Sequence, residues 1–432
     1  MPGSAIANGA DLPPEVVLQA FAKAEDGRLR LLVRMPLDLL VGFGLPKRGP
    51  GYLDLARIDD RLKQVAAAAG RQIELREDGA ALVPATRQAR ISLLSDRSFA
   101  SYATAAAHLE GPRLPDSTDL FWNQGFFDAE LEYPLRSSTP SLSIRVNVAP
   151  ELGQRLKLRL EFLPANQPAR RFALAGGTGW IALDPRWYEA AWLFARQGFV
   201  GAFSFDRFVF FLCLVAPFRG MRSMLALVLA FTGLQAFALT ATAVVDIRGI
   251  RWLPALFDTG LAAAILLLAI GNLAAPSVRA RWFVCAVIGA LGGFGLGLLL
   301  HDAWQFAGTH PFISAVCFNL GVAAGEVVSF ALAFALMRFI FARLLAPSLA
   351  VVVVSALLGH MGWHWMIDRA QPLGHELEHA SAGALSSALW LLPAIVVGAL
   401  AWILPKRSDG APVPSLLTAI LERATRKNPA RD

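Results

Sequence analysis

The 432-residue chain is 55% hydrophobic and 17% charged, with a mean hydropathy of +0.48 and a formal net charge of +7. A typical soluble domain is about a quarter charged, so a large part of this chain is built for a non-aqueous setting. The excess positive charge falls mainly in short loops and in the tail, with no basic stripe interleaved with exposed aromatics, which argues against nucleic acid as a partner.

Residues 1–184 read as an extracytoplasmic β-rich domain. Met1–Asp11 lacks the apolar core of a signal peptide, while Ala5-Ile6-Ala7 resembles the end of a cleavage site, so a shortened or processed start is expected. Leu29, Leu31, Val33 and Met35 alternate with Arg28, Arg30 and Arg34. The same period of two recurs in Phe127–Tyr133, Leu142–Val148 and Leu156–Phe162, the pattern of half-buried antiparallel strands. Glu25-Asp26-Gly27 and Asp78-Gly79 supply turns. Ile58–Ala69 and Ser98–Leu109 read as helices, and the whole as sandwich-like. No nucleophile–base set stands out. His108 is expected at the surface, and Gly176-Gly177-Thr178-Gly179 is expected to be a turn.

Residues 185–199 carry Trp187, Tyr188, Trp192 and Phe194, which suits an amphipathic interfacial linker. Residues 200–404 hold repeated apolar stretches long enough to cross a hydrocarbon layer about 30 Å thick. We place spans near Val200–Phe218, Met224–Val245, Leu253–Leu273, Trp282–Leu300, Phe312–Phe341, Pro347–Ile367 and Gly383–Leu404. The fold class is therefore an α-helical polytopic membrane bundle of about seven transmembrane helices preceded by a β-rich sandwich-like soluble domain. Residues 405–432 form a basic tail.

Arg219, Arg222, Arg279, Arg281, Arg338, Arg343, Lys406, Arg407, Arg423, Arg426, Lys427 and Arg431 fall on one side of the spans. Only Arg248, Arg251 and Arg369 fall on the other. That imbalance sets the C-terminus in the cytoplasm of a multi-pass inner (plasma) membrane protein. Cys213, Cys285 and Cys317 all lie within spans, so no disulfide framework exists.

Ionisable groups inside spans cost about 2.5–3.5 kcal/mol each on insertion scales, so each calls for a reason. They are Asp206, Asp258, Glu326, His360 and His364, joined by Gln235, Asn272 and Asn319. His360 and His364 share a helix face, and two imidazoles with carboxylates suit a borderline divalent cation such as nickel, cobalt or zinc. Interhelical hydrogen bonding explains the same residues without a ligand. Asp206 could equally pair with adjacent Arg207. His375-Glu376-Leu377-Glu378-His379 matches the zinc-protease pattern H-E-x-x-H. It is expected in an outer loop with no third ligand, and the chain is not expected to be an enzyme.

Several segments carry a resemblance. Asp206-Arg207 through Leu214, Phe318-Asn319-Leu320-Gly321-Val322, Gly359–Arg369 with its Trp363-His364-Trp365 core, Arg48–Arg57, Ser95–Tyr102 and Leu183–Ala191 resemble the HupE/UreJ family of membrane proteins, in its longer members with an extracytoplasmic domain. The resemblance implies a nickel or cobalt permease bundle, with the metal as transported ligand. Where the family pattern reads Asp-His, this chain has Asp206-Arg207. Leu234-Gln235-Ala236 stands for Ala-His-Ser, and Gly292-Gly293 for His-Gly. Asp206, Asn319, His360 and His364 remain as metal ligands implied by the family. Classical permeation is therefore expected to be altered or lost. The alternatives are a membrane anchor presenting its β-domain to an extracytoplasmic protein partner and, distantly, a membrane metalloprotease using His375, Glu376 and His379.

Overall fold

The computed structural model describes residues 15–137, 140–165, 167–218, 221–242, 250, 252–274 and 278–379. Two units emerge: residues 1–186 with 305–309, and residues 187–304 with 310–432.

The first unit opens with β1 (Val16–Glu25) and β2 (Arg28–Pro36), followed by the short pair β3 (Lys47–Arg48) and β4 (Tyr52–Leu53). Helix α1 (Asp59–Gln72) leads into β5 (Ile73–Glu77), β6 (Ala80–Ala81) and β7 (Ala85–Leu93). Then come α2 (Tyr102–Glu110), β8 (Gly125–Pro134), β9 (Leu142–Val146), β10 (Leu156–Leu163), β11 (Arg170–Ala175) and β12 (Ile181–Ala182). Six strands form one sheet in the order β11-β10-β1-β2-β8-β7, and four form a second, β12-β9-β5-β6.

Alternation explains the layering. Leu18, Ala20 and Ala22 of β1 and Leu29, Leu31 and Val33 of β2 point to a core shared with Leu62 and Val65 of α1 and Leu75 and Ile144 of the second sheet. Phe21 and Leu32 point the other way, onto Phe99, Ala105 and Leu109 beneath α2. Both predicted turns form with positive φ at consecutive residues, Asp26 (51°) and Gly27 (71°), then Asp78 (47°) and Gly79 (84°), as tight hairpins require.

Not every pairing is antiparallel. β1 runs parallel to β10, Val16 opposite Leu156. Alternation reports which face is buried and leaves strand direction open.

The second unit is helical: α3 (Trp187–Ala202), α4 (Phe205–Val215), α5 (Met221–Ala241), α6 (Trp252–Ala274), α7 (Val278–Ala303), α8 (Pro311–Phe339) and α9 (Pro347–Glu378). Among the described residues five helices are long and apolar enough to cross a membrane, or six if α3 and α4, bent by 57°, form one broken span. The expected first span, Val200–Phe218, is interrupted at Phe203–Ser204, and the expected linker residues are the start of α3. The seventh expected span, Gly383–Leu404, and the basic tail lie outside the described residues.

Small residues pair the helices closely. A Cβ on Gly321 of α8 would lie 2.0 Å from the Ala195 carbonyl of α3, and one on Gly293 of α7 2.3 Å from the Gln235 carbonyl of α5. Gly362 of α9 faces Ala262 of α6 at 3.1 Å in the same sense.

Candidate intramembrane site

Helix α4 is only eleven residues long, and its first turn carries the charges. Ser204 caps it by accepting the Arg207 backbone N–H. Asp206 and Arg207 do not pair with each other. Each crosses to a different helix.

Arg207 is 4% exposed and reaches inward. Its Nη1 donates to Gln235 Oε1 of α5 at 3.3 Å and to Glu326 Oε1 of α8 at 3.4 Å, with the guanidinium 5.1 Å from the Phe257 ring of α6. Glu326 is fully buried and also accepts from Thr232 Oγ1 at 2.5 Å and from the Gln235 amide. A buried carboxylate is tolerable only when paired and hydrogen-bonded, and this one has three donors. Gly292 of α7 leaves the space: a Cβ there would lie 2.6 Å from Gln235 Oε1 and 3.0 Å from Phe257.

Asp206 Oδ2 accepts from Arg369 of α9 at 2.5 Å, both side chains being about a quarter exposed. Arg369 also reaches the Asp258 carbonyl at 3.4 Å and lies 5.1 Å from the Trp365 ring. Asn319 donates to the Ala315 carbonyl at 3.0 Å, and its Oδ1 is buried without a hydrogen-bond partner. His360 and His364 have ring centroids 4.6 Å apart on an exposed face of α9. Among the described residues, no three His, Cys, Asp or Glu side chains are grouped to hold a metal ion.

A second polar network lies at the other end of α4. Arg281, 2% exposed, donates to the Leu214 carbonyl at 2.9 Å and to Asn272 Oδ1. Asn272 in turn donates to the Cys213 carbonyl at 3.0 Å and to Ser355 at 3.1 Å. These contacts satisfy carbonyls that a helix C-terminus leaves open. Sequence reasoning counted Arg281 among the loop charges. Its position beside Trp282 at the start of an apolar run was the available signal.

Two further expectations are corrected. His375–Glu378 is the last turn of α9 rather than a loop, and His379 Nδ1 contacts the His375 carbonyl at 2.8 Å. His108 of the β-domain is held 2.9 Å from Ser92 Oγ and 3.2 Å from Asp128 rather than standing free at the surface. Asp128 and Asp96 both pair with buried Arg34, at 2.7 and 2.9 Å. Burial works against the Asp96 charge, but bonds from the Ser98 hydroxyl and amide and from Arg34 outweigh it and hold this carboxyl down to about 2.

Broken and glycine-packed helices around a buried ion pair define a polytopic helical membrane protein. Residues 182–369 match the family model described as HupE / UreJ protein, so this part of the chain is similar to that family. The likeness suggests a membrane metal-transporter class. No curated protein matches the chain.

Proposed function

We propose that this chain is a HupE/UreJ-class membrane protein in which nickel or cobalt permeation is altered or lost because a guanidinium occupies the inner cation position. One observation carries the reading. Arg207 and Gln235 both donate to Glu326, and Gly292 lies against Gln235; these are three of the positions at which we read a departure from the family's histidine pattern.

The physical consequence is electrostatic. Imidazole is the strongest neutral protein ligand for these metals, and here one imidazole position carries a fixed positive charge. A divalent ion 4 Å from a guanidinium is opposed by roughly 8 kcal/mol at an effective dielectric of 20. Glu326, the buried carboxylate a cation would seek, is already neutralised. The residues that keep the family pattern, Asp206, Asn319, His360 and His364, supply whatever weak nickel or cobalt binding the bundle retains. In the same proposal the N-terminal domain is extracytoplasmic and the C-terminus cytoplasmic.

Uptake of labelled nickel and cobalt into proteoliposomes tests this. The expected result is flux no greater than in empty vesicles. Saturable uptake that Asp206→Ala abolishes would overturn the reading.

A further inference from the structure

The six-stranded sheet of the β-domain has two edges, β11 and β7, and the fold treats them differently. At β11 the Ala173 N–H donates to Gln305 Oε1 at 2.7 Å, and Phe306 lies on Phe172 with centroids 6.3 Å apart. At the other edge β7 pairs only with β8 among the described strands. A groove of about 540 Å³ runs beside it. Thr86 to Ile91 of β7 form one wall, and α1 with residues 111–114 forms the other.

The lining is mixed in a particular way. Leu55, Ile58, Leu62 and Leu114 make an apolar strip. Lys63, Arg87, Arg90 and Arg113 stand against a single lining carboxylate, Asp59. Arg90 is spent on structure, donating to the carbonyls of His108, Leu109, Gly111 and Pro112 and so fixing the far wall. Arg87 binds Glu132, and Arg113 binds Asp59 and Asp116, yet each guanidinium side chain stays about half exposed. Lys63 touches only Asp60, at 3.7 Å, with both side chains mostly in solvent.

We propose that this groove takes an extended acidic segment of a partner protein, which adds to β7 as a further strand. Six residues of strand span about 20 Å, the run of β7 along the groove. Main-chain bonds to the free edge give affinity, and side chains at alternate positions give specificity. Aliphatic residues face the Leu55–Leu62 strip. Carboxylates between them reach Lys63, Arg87 and Arg113. The chain's own ends are poor matches: residues 1–14 contain one carboxylate, Asp11, and residues 405–432 are predominantly basic. The irregularity between Thr86 and Gln88, with charged Arg87 within it, limits indiscriminate edge pairing. The inference concerns the β-domain alone, so the outcome of the nickel experiment leaves it intact.

The test uses the full chain in detergent and a fluorescent eight-residue peptide alternating Glu and Val, with a Lys–Val peptide as control. The expected result is saturable, salt-weakened binding of the Glu–Val peptide, at least ten-fold tighter than the control. Lys63→Glu with Arg113→Glu should weaken it at least ten-fold, and bound peptide should slow hydrogen exchange of the β7 amides. Absence of saturable binding, equal binding of both peptides, indifference to the charge reversals or protection elsewhere would each overturn the proposal. A peptide copying residues 1–14 that competes equally would assign the groove to the chain's own N-terminus and also overturn it.

Discussion

Arg207 and Glu326 depend on each other. Truncating one member of a buried ion pair leaves the other charged and unsolvated, which costs about 3–5 kcal/mol, whereas replacing both by apolar or neutral groups is often tolerated. Arg207→Ala should therefore destabilise the protein strongly, and adding Glu326→Gln should recover much of the loss. Thermal unfolding of the two variants in detergent checks this, and equal melting of wild type and Arg207→Ala would show the pair to be unimportant. In the β-domain, Asp96 has a folded value near 2 against an ordinary 3.8. Its contribution to stability is thus complete above about pH 4 and lost as pH falls towards 2. Asp96→Asn should flatten acid unfolding across that window, as followed by tryptophan fluorescence.

Between elements, glycine sets how near two helices come. Gly321→Ala places a methyl group against the Ala195 carbonyl, and backbone cannot swing aside as a long side chain can. Separation of α3 from α8 with a loss of about 1–3 kcal/mol or more is expected. Gly295→Ala, which meets nothing within 4 Å, should melt as wild type does. The same level shows what was legible beforehand. Strands β2, β8, β9 and β10 and helices α1 and α2 announced themselves by period and turn chemistry. So did α5 to α9, by unbroken apolar length. The break at Phe203–Ser204 did not, because both flanks are apolar and only the Ser204-Phe205-Asp206 capping pattern marks a new helix start. Among site residues, Glu326 and Gln235 were visible as polar groups inside spans. Their partnership with Arg207 was hidden, since no sequence rule says which faces of α4, α5 and α8 meet. Asp206, read as a candidate metal ligand or as a partner of adjacent Arg207, is held instead by Arg369, 163 positions away.

Across the whole molecule, the β-domain is discontinuous: residues 305–309 complete an edge begun at β11. Residues 15–186 and 305–309 must then occupy one aqueous compartment, so the chain between them crosses the bilayer an even number of times. Helices α5, α6 and α7 with the bent α3–α4 pair as one broken span would make that even number. Impermeant thiol reagents should accordingly label Thr309→Cys and Asp26→Cys from the same face and Leu345→Cys from the opposite one. The arrangement also imposes an order on biogenesis. The last piece of the N-terminal domain leaves the ribosome only after α3 to α7 have been synthesised, so its β11 margin must wait, uncapped, while those helices are made.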